Sequence, residues 1–227
     1  MEIPIVPLRW SPAFRIIPSR FPPIPLFEDV ADPADLEAVF LVESLTNDRL
    51  RDQAGELALV PPAERVSGSG SSFVMGAFTH ISPHGGRFND ASFGAFYVSH
   101  ERETAIAETV YHRERFLREM AAPPTQVDMR VLRCTIRCEL HDLRGMREAM
   151  PEIYRSDDYS ASQALARELR AGGAFGVVWE SVRQEVGECA ALFRPRAITR
   201  CRQAEHLGYL WDGERVGVVY EKRVIRG

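Results

Sequence analysis

Hydrophobic positions in this chain fall into short alternating runs mixed irregularly with helical stretches. The clearest alternation runs from Met129 to Leu140: Leu132, Cys134, Ile136, Cys138 and Leu140 share one face, and Val131, Arg133, Thr135 and Arg137 the other, the period of a strand. Phe175–Trp179 and Cys189–Phe193 read as buried strands, Phe73–Phe78 and Ala95–Val98 as weaker ones. Tyr209 to Arg223 carries Trp211-Asp212-Gly213-Glu214 between apolar runs, a hairpin signal.

Ser99 or His100 opens a helix with Glu101 and Glu103 in its first turn, where the helix dipole favours carboxylates. Its stripe is Ile106, Val110, Arg113, Leu117 and Met120, which leaves Glu108 on the polar side with Glu101 and Arg115. Ser160–Arg170 forms a further helix that Gly172-Gly173 stops.

The first 33 residues hold eight prolines, so no helix runs through them and only Ala13–Ile17 is strand-like. Trp10, Phe14, Phe21 and Phe27 need burial, which predicts an extended arm wrapped on the body. Asp32-Pro33 then starts a helix with Leu36, Val39 and Phe40 on one face. A second short helix covers Asn47 to Ala58, and Pro61-Pro62 ends it. With no repeat and no composition break, the pattern predicts a single α+β domain rather than a doubly wound parallel sheet.

Composition narrows the picture modestly. The 227 residues are 45% hydrophobic and carry a net charge of -4, so a general grip on nucleic acid is not expected. Nearly all of the 28 basic residues are Arg, which suits local recognition of planar anions. The absence of a signal pattern and of a long apolar run predicts a cytoplasmic protein that does not engage a membrane. Four cysteines make no disulfide framework, and Cys134 and Cys138 share the apolar face of a strand. His80 and His84 are separated by Pro83 and cannot share a helical face, so no metal is expected. The loop Ser67–Ser72 lacks the Lys-Ser/Thr that would complete a P-loop and reads as a connector.

The candidate chemistry centres on Gly85-Gly86-Arg87-Phe88-Asn89, a strand ending in Tyr97, and the helix bearing Glu108. Glycines let a backbone approach a ligand closely, and an arginine beside them can fork onto phosphate or carboxylate. Taken alone, each of these residues also fits a turn, a strand rim or a solvated helix face.

The ordered series GGRFN, Tyr97 and ETAIAE resembles the signature of RES-domain toxins, as do Tyr159-Ser160-x-Ser162-Gln163-Ala164, GVVWES and ALFRP further along. The N-terminal FRIIPSRFPPIPLF is similar to the opening of a longer subgroup, and Phe88 stands where that family often has tryptophan. The resemblance implies one RES-like domain, with residues 1–64 as arm and helical extension and 65–227 as core. It implies a fold like that of ADP-ribosyltransferase toxins. It also implies a bacterial toxin that cleaves the nicotinamide–ribose bond of NAD and is neutralised by a cognate helix-turn-helix, Xre-type antitoxin.

Phosphorolysis, with inorganic phosphate as co-substrate, and hydrolysis are the favoured outcomes. Protein ADP-ribosylation is the alternative at the same site, and a non-catalytic assembly protein on this scaffold is the rival from another class. A homodimer is left open. By resemblance Glu108, Arg87, Tyr97 and Ser181 would carry the chemistry. Arg15, Arg20, Arg87, Tyr97 and Ser160 would hold NAD. Arg15 and Arg20 compete for one role, as do Ser160 and Ser181.

Overall fold

A computed structural model describes residues 2–19, 28, 56–223 and 225. Arg20, Phe21, Phe27, the helix expected from Asp32-Pro33 and most of the one expected over Asn47 to Ala58 lie outside the described residues.

The longest strand, β3 (Thr125–Asp142), has a neighbour on each edge. Along one edge runs β1 (Ile5–Pro18), antiparallel from Ile5↔His141 to Pro18↔Met129. The opposite edge is shared. There β6 (Ile198–Trp211) pairs with residues Thr125 to Ile136, and β4 (Gly176–Glu180) lies parallel to His141 and Asp142. Next comes β5 (Glu188–Leu192), antiparallel to β4, and then β2 (Phe96–Ser99), antiparallel to β5.

Finally β2 meets β1 through Phe14↔Ser99. The pairings therefore close into a ring, β3–β1–β2–β5–β4–β3. The hairpin of β6 and β7 (Val216–Lys222) extends from it. Among the described residues three α-helices flank the sheet: α1 (Ser71–Thr79), α2 (Arg102–Glu119) and α3 (Ser160–Ala171). The α+β class expected from the pattern is the one observed.

Each helix covers its own apolar cluster. Val74, Met75 and Phe78 of α1 pack on Leu132, Cys134, Ile136 and Leu140 of β3. Ala105 of α2 packs with Ile16, Met129, Val131, Leu207 and Tyr209. Ala166 of α3 packs with Val177, Trp179 and Phe193. Both faces of β3 are thus buried at its middle, which is why the strand tolerates Val131 and Thr135 opposite its apolar row.

Two expectations change. The first is Phe73–Phe78, which is helix and not strand. Its buried Val74, Met75 and Phe78 fall at a spacing of one and four, which a helix places on one face and a strand does not. The Glu28 carboxylate accepts the Ser72 N–H at 3.2 Å in the first turn, where backbone donors lack helical partners. The second is the arm. The pattern predicts strand only at Ala13–Ile17, yet β1 pairs over 14 residues. Pro7 and Pro12 fit because, among the described residues, β1 pairs only with β3 there, and a register shift between Trp10 and Ala13 absorbs the second. The β3 alternation, α3, β4 and β5 appear within a few residues of their expected bounds, and the hairpin turns where Asp212-Gly213 predicts it, although its first strand begins at Ile198 and not at Tyr209.

Leu132 is fully buried between these layers. Leu132→Ala should lower unfolding free energy by about 2–5 kcal/mol, transfer plus cavity. Urea denaturation at unchanged slope checks it.

Candidate active site

The loop from Gly85 to Asn89 is fastened from several directions. Gly86 N–H donates to Asn89 O at 2.8 Å, closing a tight turn. The Tyr97 hydroxyl accepts from Phe88 N–H at 2.8 Å and donates to Asn89 Oδ1 at 2.7 Å. Asn89 Nδ2 donates to Phe93 O at 3.0 Å, and Gln163 Nε2 of α3 donates to Gly86 O at 2.9 Å.

Both glycines are required by this packing. Gly85 sits at φ +65°, and a Cβ there would lie 2.1 Å from Asn89 O. A Cβ on Gly86 would lie 2.6 Å from the Tyr97 hydroxyl.

What this loop aims is Arg87, which is only 6% exposed. Its Nη1 donates to the carbonyls of Ile153 and Arg155, both at 2.8 Å. Its guanidinium lies 4.6 Å from the Tyr159 ring centroid. Desolvation lowers its pKa, and Tyr159 and Glu108 oppose the shift.

Arg15 approaches from β1. Its Nη1 donates to Tyr97 O at 3.1 Å, and its guanidinium stands 4.7 Å from the Phe96 ring centroid. Burial lowers its pKa as well. Arg15 Nε is buried without a partner, a donor that carries a desolvation cost until something accepts from it.

Glu108 lies on α2. The Ser181 hydroxyl donates to Glu108 Oε1 at 2.7 Å, and Cys189 Sγ reaches the same oxygen at 3.8 Å. The Ser181 oxygen meanwhile accepts from Arg183 N–H and Gln184 N–H, both at 3.0 Å. With two donors already pointing at it, that oxygen has its own proton left for the carboxylate. Burial pushes the Cys189 thiol up, and Glu108 adds to the shift, so it stays protonated.

These groups meet in one cleft of about 490 Å³, whose wall includes Arg15, Arg87, Tyr97, Glu108, His112 and Trp179. A larger hollow of about 630 Å³ around Arg133, Arg200 and Arg202 contains none of the residues expected at the site. Ser181 stands behind Glu108 and outside that wall. Ser160 begins α3 with its hydroxyl donating to Asp158 Oδ1 at 2.7 Å, and it does not line the cleft. The block from Tyr159 to Ala164 instead serves through Tyr159 under Arg87 and Gln163 on Gly86.

The helical wheel puts Glu108 on the solvated face. In the structure α2 has three environments. Ile106 and Val110 pack beside Val131 and Tyr209, Ala105, Glu108, Thr109 and His112 line the cleft, and Met120 of the expected stripe is 61% exposed. A two-sided wheel cannot separate a pocket from solvent.

Several contributors escape the sequence reading. Asn89 is visible within GGRFN and Trp179 within GVVWES. His112 follows Glu108 by four residues, the spacing that stacks side chains on one helix face. Desolvation, then Arg183, Arg113, Arg87 and Arg115, lower its pKa to about 4. Cys189 gives no spacing signal. Among the described residues no group of three or more His, Cys, Asp or Glu could hold a metal ion, and no helix is long and apolar enough to cross a membrane.

The chain matches the RES domain family over residues 62–212, a span that includes Arg87, Tyr97, Glu108 and Ser181. It belongs to the RES domain family. It is 28% identical over 214 residues to the uncharacterized protein y4oC of Sinorhizobium fredii (strain NBRC 101917 / NGR234), covering 91% of this chain and 86% of the relative. Among solved structures, one from the M. tuberculosis MbcT–MbcA toxin–antitoxin complex aligns with a TM-score of 0.47 and 14% identity, over 89% of this chain and 86% of that one. That similarity is too distant to carry function. Arg15 precedes the span matched to this RES family, so its place in the cleft rests on the geometry of β1.

Tyr97→Phe in this RES-domain protein removes the hydroxyl joining Phe88 to Asn89. It should cost about 1–3 kcal/mol of stability by leaving both groups unpaired, measured by chemical denaturation against wild type.

Proposed function

We propose that this RES-domain protein cleaves the nicotinamide–ribose bond of NAD and acts as a toxin held in check by a helix-turn-helix antitoxin. One observation carries the reading: a carboxylate clamped in a single orientation shares a cleft with two desolvated guanidiniums. The pairing matches what NAD cleavage needs. The pyrophosphate is an anion that Arg15 and Arg87 can meet with charge-assisted bonds.

The nicotinamide ring is already cationic and leaves as a neutral base, so departure needs little acid help. Charge instead develops on the ribose, whose oxocarbenium character calls for a fixed negative group nearby. Glu108 is the only carboxylate among the described residues lining the cleft. Its Oε1 is held by Ser181, which leaves Oε2 to meet the ribose hydroxyls and the cation. Tyr97 has its hydroxyl engaged within the loop, so its contribution to ribose is through the ring. Phosphate or water then completes the transfer.

Purified protein incubated with NAD should release nicotinamide. Glu108→Gln keeps the Ser181 contact in size but removes the charge, and should slow release by at least about a hundredfold with melting temperature preserved. Product analysis separates ADP-ribose-1″-phosphate, free ADP-ribose and a labelled protein band. Full nicotinamide release by Glu108→Gln would refute the role given to the carboxylate.

A further inference from the structure

The residues assigned so far account for binding and for stabilising a cation, but not for a proton. When an O–H nucleophile attacks the ribosyl carbon, that proton must go somewhere. We propose that His112 takes the proton from the attacking O–H group, while Glu108 remains ionised against the developing cation. This role rests on the NAD reading above and assigns a catalytic residue that reading leaves out.

Geometry selects His112. It lies four residues after Glu108 on α2, one helical turn along, and lines the same cleft. Its side chain is exposed as well as lining the cleft, so a proton taken there can be returned to solvent.

The alternatives within the wall are occupied. Glu108 Oε1 already takes Ser181 and Cys189, and protonating the carboxylate would remove the charge the cation needs. The Tyr97 hydroxyl donates to Asn89, and its burial makes it a weaker acid still. His80 belongs to the C-terminal end of α1, with Nδ1 3.2 Å from Thr79 Oγ1 and 3.3 Å from Gly76 O.

The surroundings of His112 fix its protonation state. Desolvation is the largest influence, followed by the cations Arg183 beyond β4, Arg113 and Arg115 on α2 itself, and Arg87 from the Gly85 loop. All act in the same direction, and the ring is neutral from about pH 5 upward. A neutral ring accepts a proton at working pH. The same arginines then make the imidazolium a good donor back to water, so the base is reset for the next turnover.

The step balances. The ribose C1″–N bond breaks with its electron pair going to nicotinamide, which departs neutral. The nucleophile's oxygen forms the new bond to C1″, and its hydrogen moves as a proton to a ring nitrogen of His112.

The test uses a nucleophile that has no proton to lose. Nicotinamide release from NAD is measured for wild type, His112→Asn and Glu108→Gln, first with water alone and then with added sodium azide. His112→Asn should lose hydrolytic release by about 10²–10⁴-fold with an unchanged thermal melt. Azide should restore release and yield ADP-ribosyl azide, whereas Glu108→Gln should not be restored. Should the Asn variant melt lower than wild type, His112→Gln replaces it in the same assay.

Hydrolysis within about threefold of wild type overturns the role of His112, against the loss expected for a general base, and so does a loss in a folded variant that azide fails to restore. Wild-type turnover that requires an added anion overturns it too, since no proton then needs removing. Wild type that releases no nicotinamide with water, azide or inorganic phosphate overturns the NAD reading itself, and this role with it.

Discussion

One hydroxyl without rotational freedom sets the orientation of the only carboxylate among the described cleft residues. Ser181 accepts two backbone N–H groups of the turn that follows β4, so its proton points to Glu108 Oε1. The turn itself is held by Ser181 N–H donating to Gly187 O at 2.7 Å, and Gly187 is glycine because a Cβ would stand 2.6 Å from Thr104 Oγ1 of α2. Backbone, serine and glutamate therefore form a single rigid link between the end of β4 and the face of α2. An electrostatic catalyst gains from such rigidity, because a group already in place needs no reorganisation when charge develops.

Ring closure of the sheet supplies the rest of the constraint. Strand β2 is only four residues long, yet it touches β5 on one side and β1 on the other. Tyr97 within it fastens the Gly85–Asn89 loop by its hydroxyl, while its carbonyl receives Arg15 from β1. One residue thus couples the two arginines. The second arginine is held in turn by the carbonyls of Ile153 and Arg155 just before α3. Elements distant in sequence converge because the strands carrying them are neighbours in a closed ring.

Much of this is legible in the residues, for reasons that also explain the gaps. Strands β3, β4 and β5 and the terminal hairpin announce themselves because burial on a sheet leaves a period of two or a short apolar run. GGRFN is legible as a close approach of backbone, and the structure supplies the groups approached: Asn89 O and the Tyr97 hydroxyl.

Strand β1 is harder to see because prolines weigh against a strand unless the missing N–H faces no neighbour, which is a fact of topology. Helix α1 hides behind aromatic and β-branched residues whose burial spacing is helical. Glu108 is ambiguous for a deeper reason: a polar helix face toward a cleft and one toward bulk water carry the same periodicity. Only the family resemblance favours the cleft, and Ser181 and Cys189 on Oε1 give it a physical basis. Ser160 shows the converse, since a residue in a matching block can serve as a helix start while its neighbours Tyr159 and Gln163 hold the loop.

The central claim is that Arg15, Arg87 and Glu108 form one NAD site. A crystal structure of the Glu108→Gln protein soaked with NAD tests it most directly. The account predicts NAD in the cleft, its pyrophosphate against Arg15 and Arg87 and its nicotinamide ribose beside residue 108. NAD bound elsewhere, or an empty cleft at saturating NAD, would contradict it.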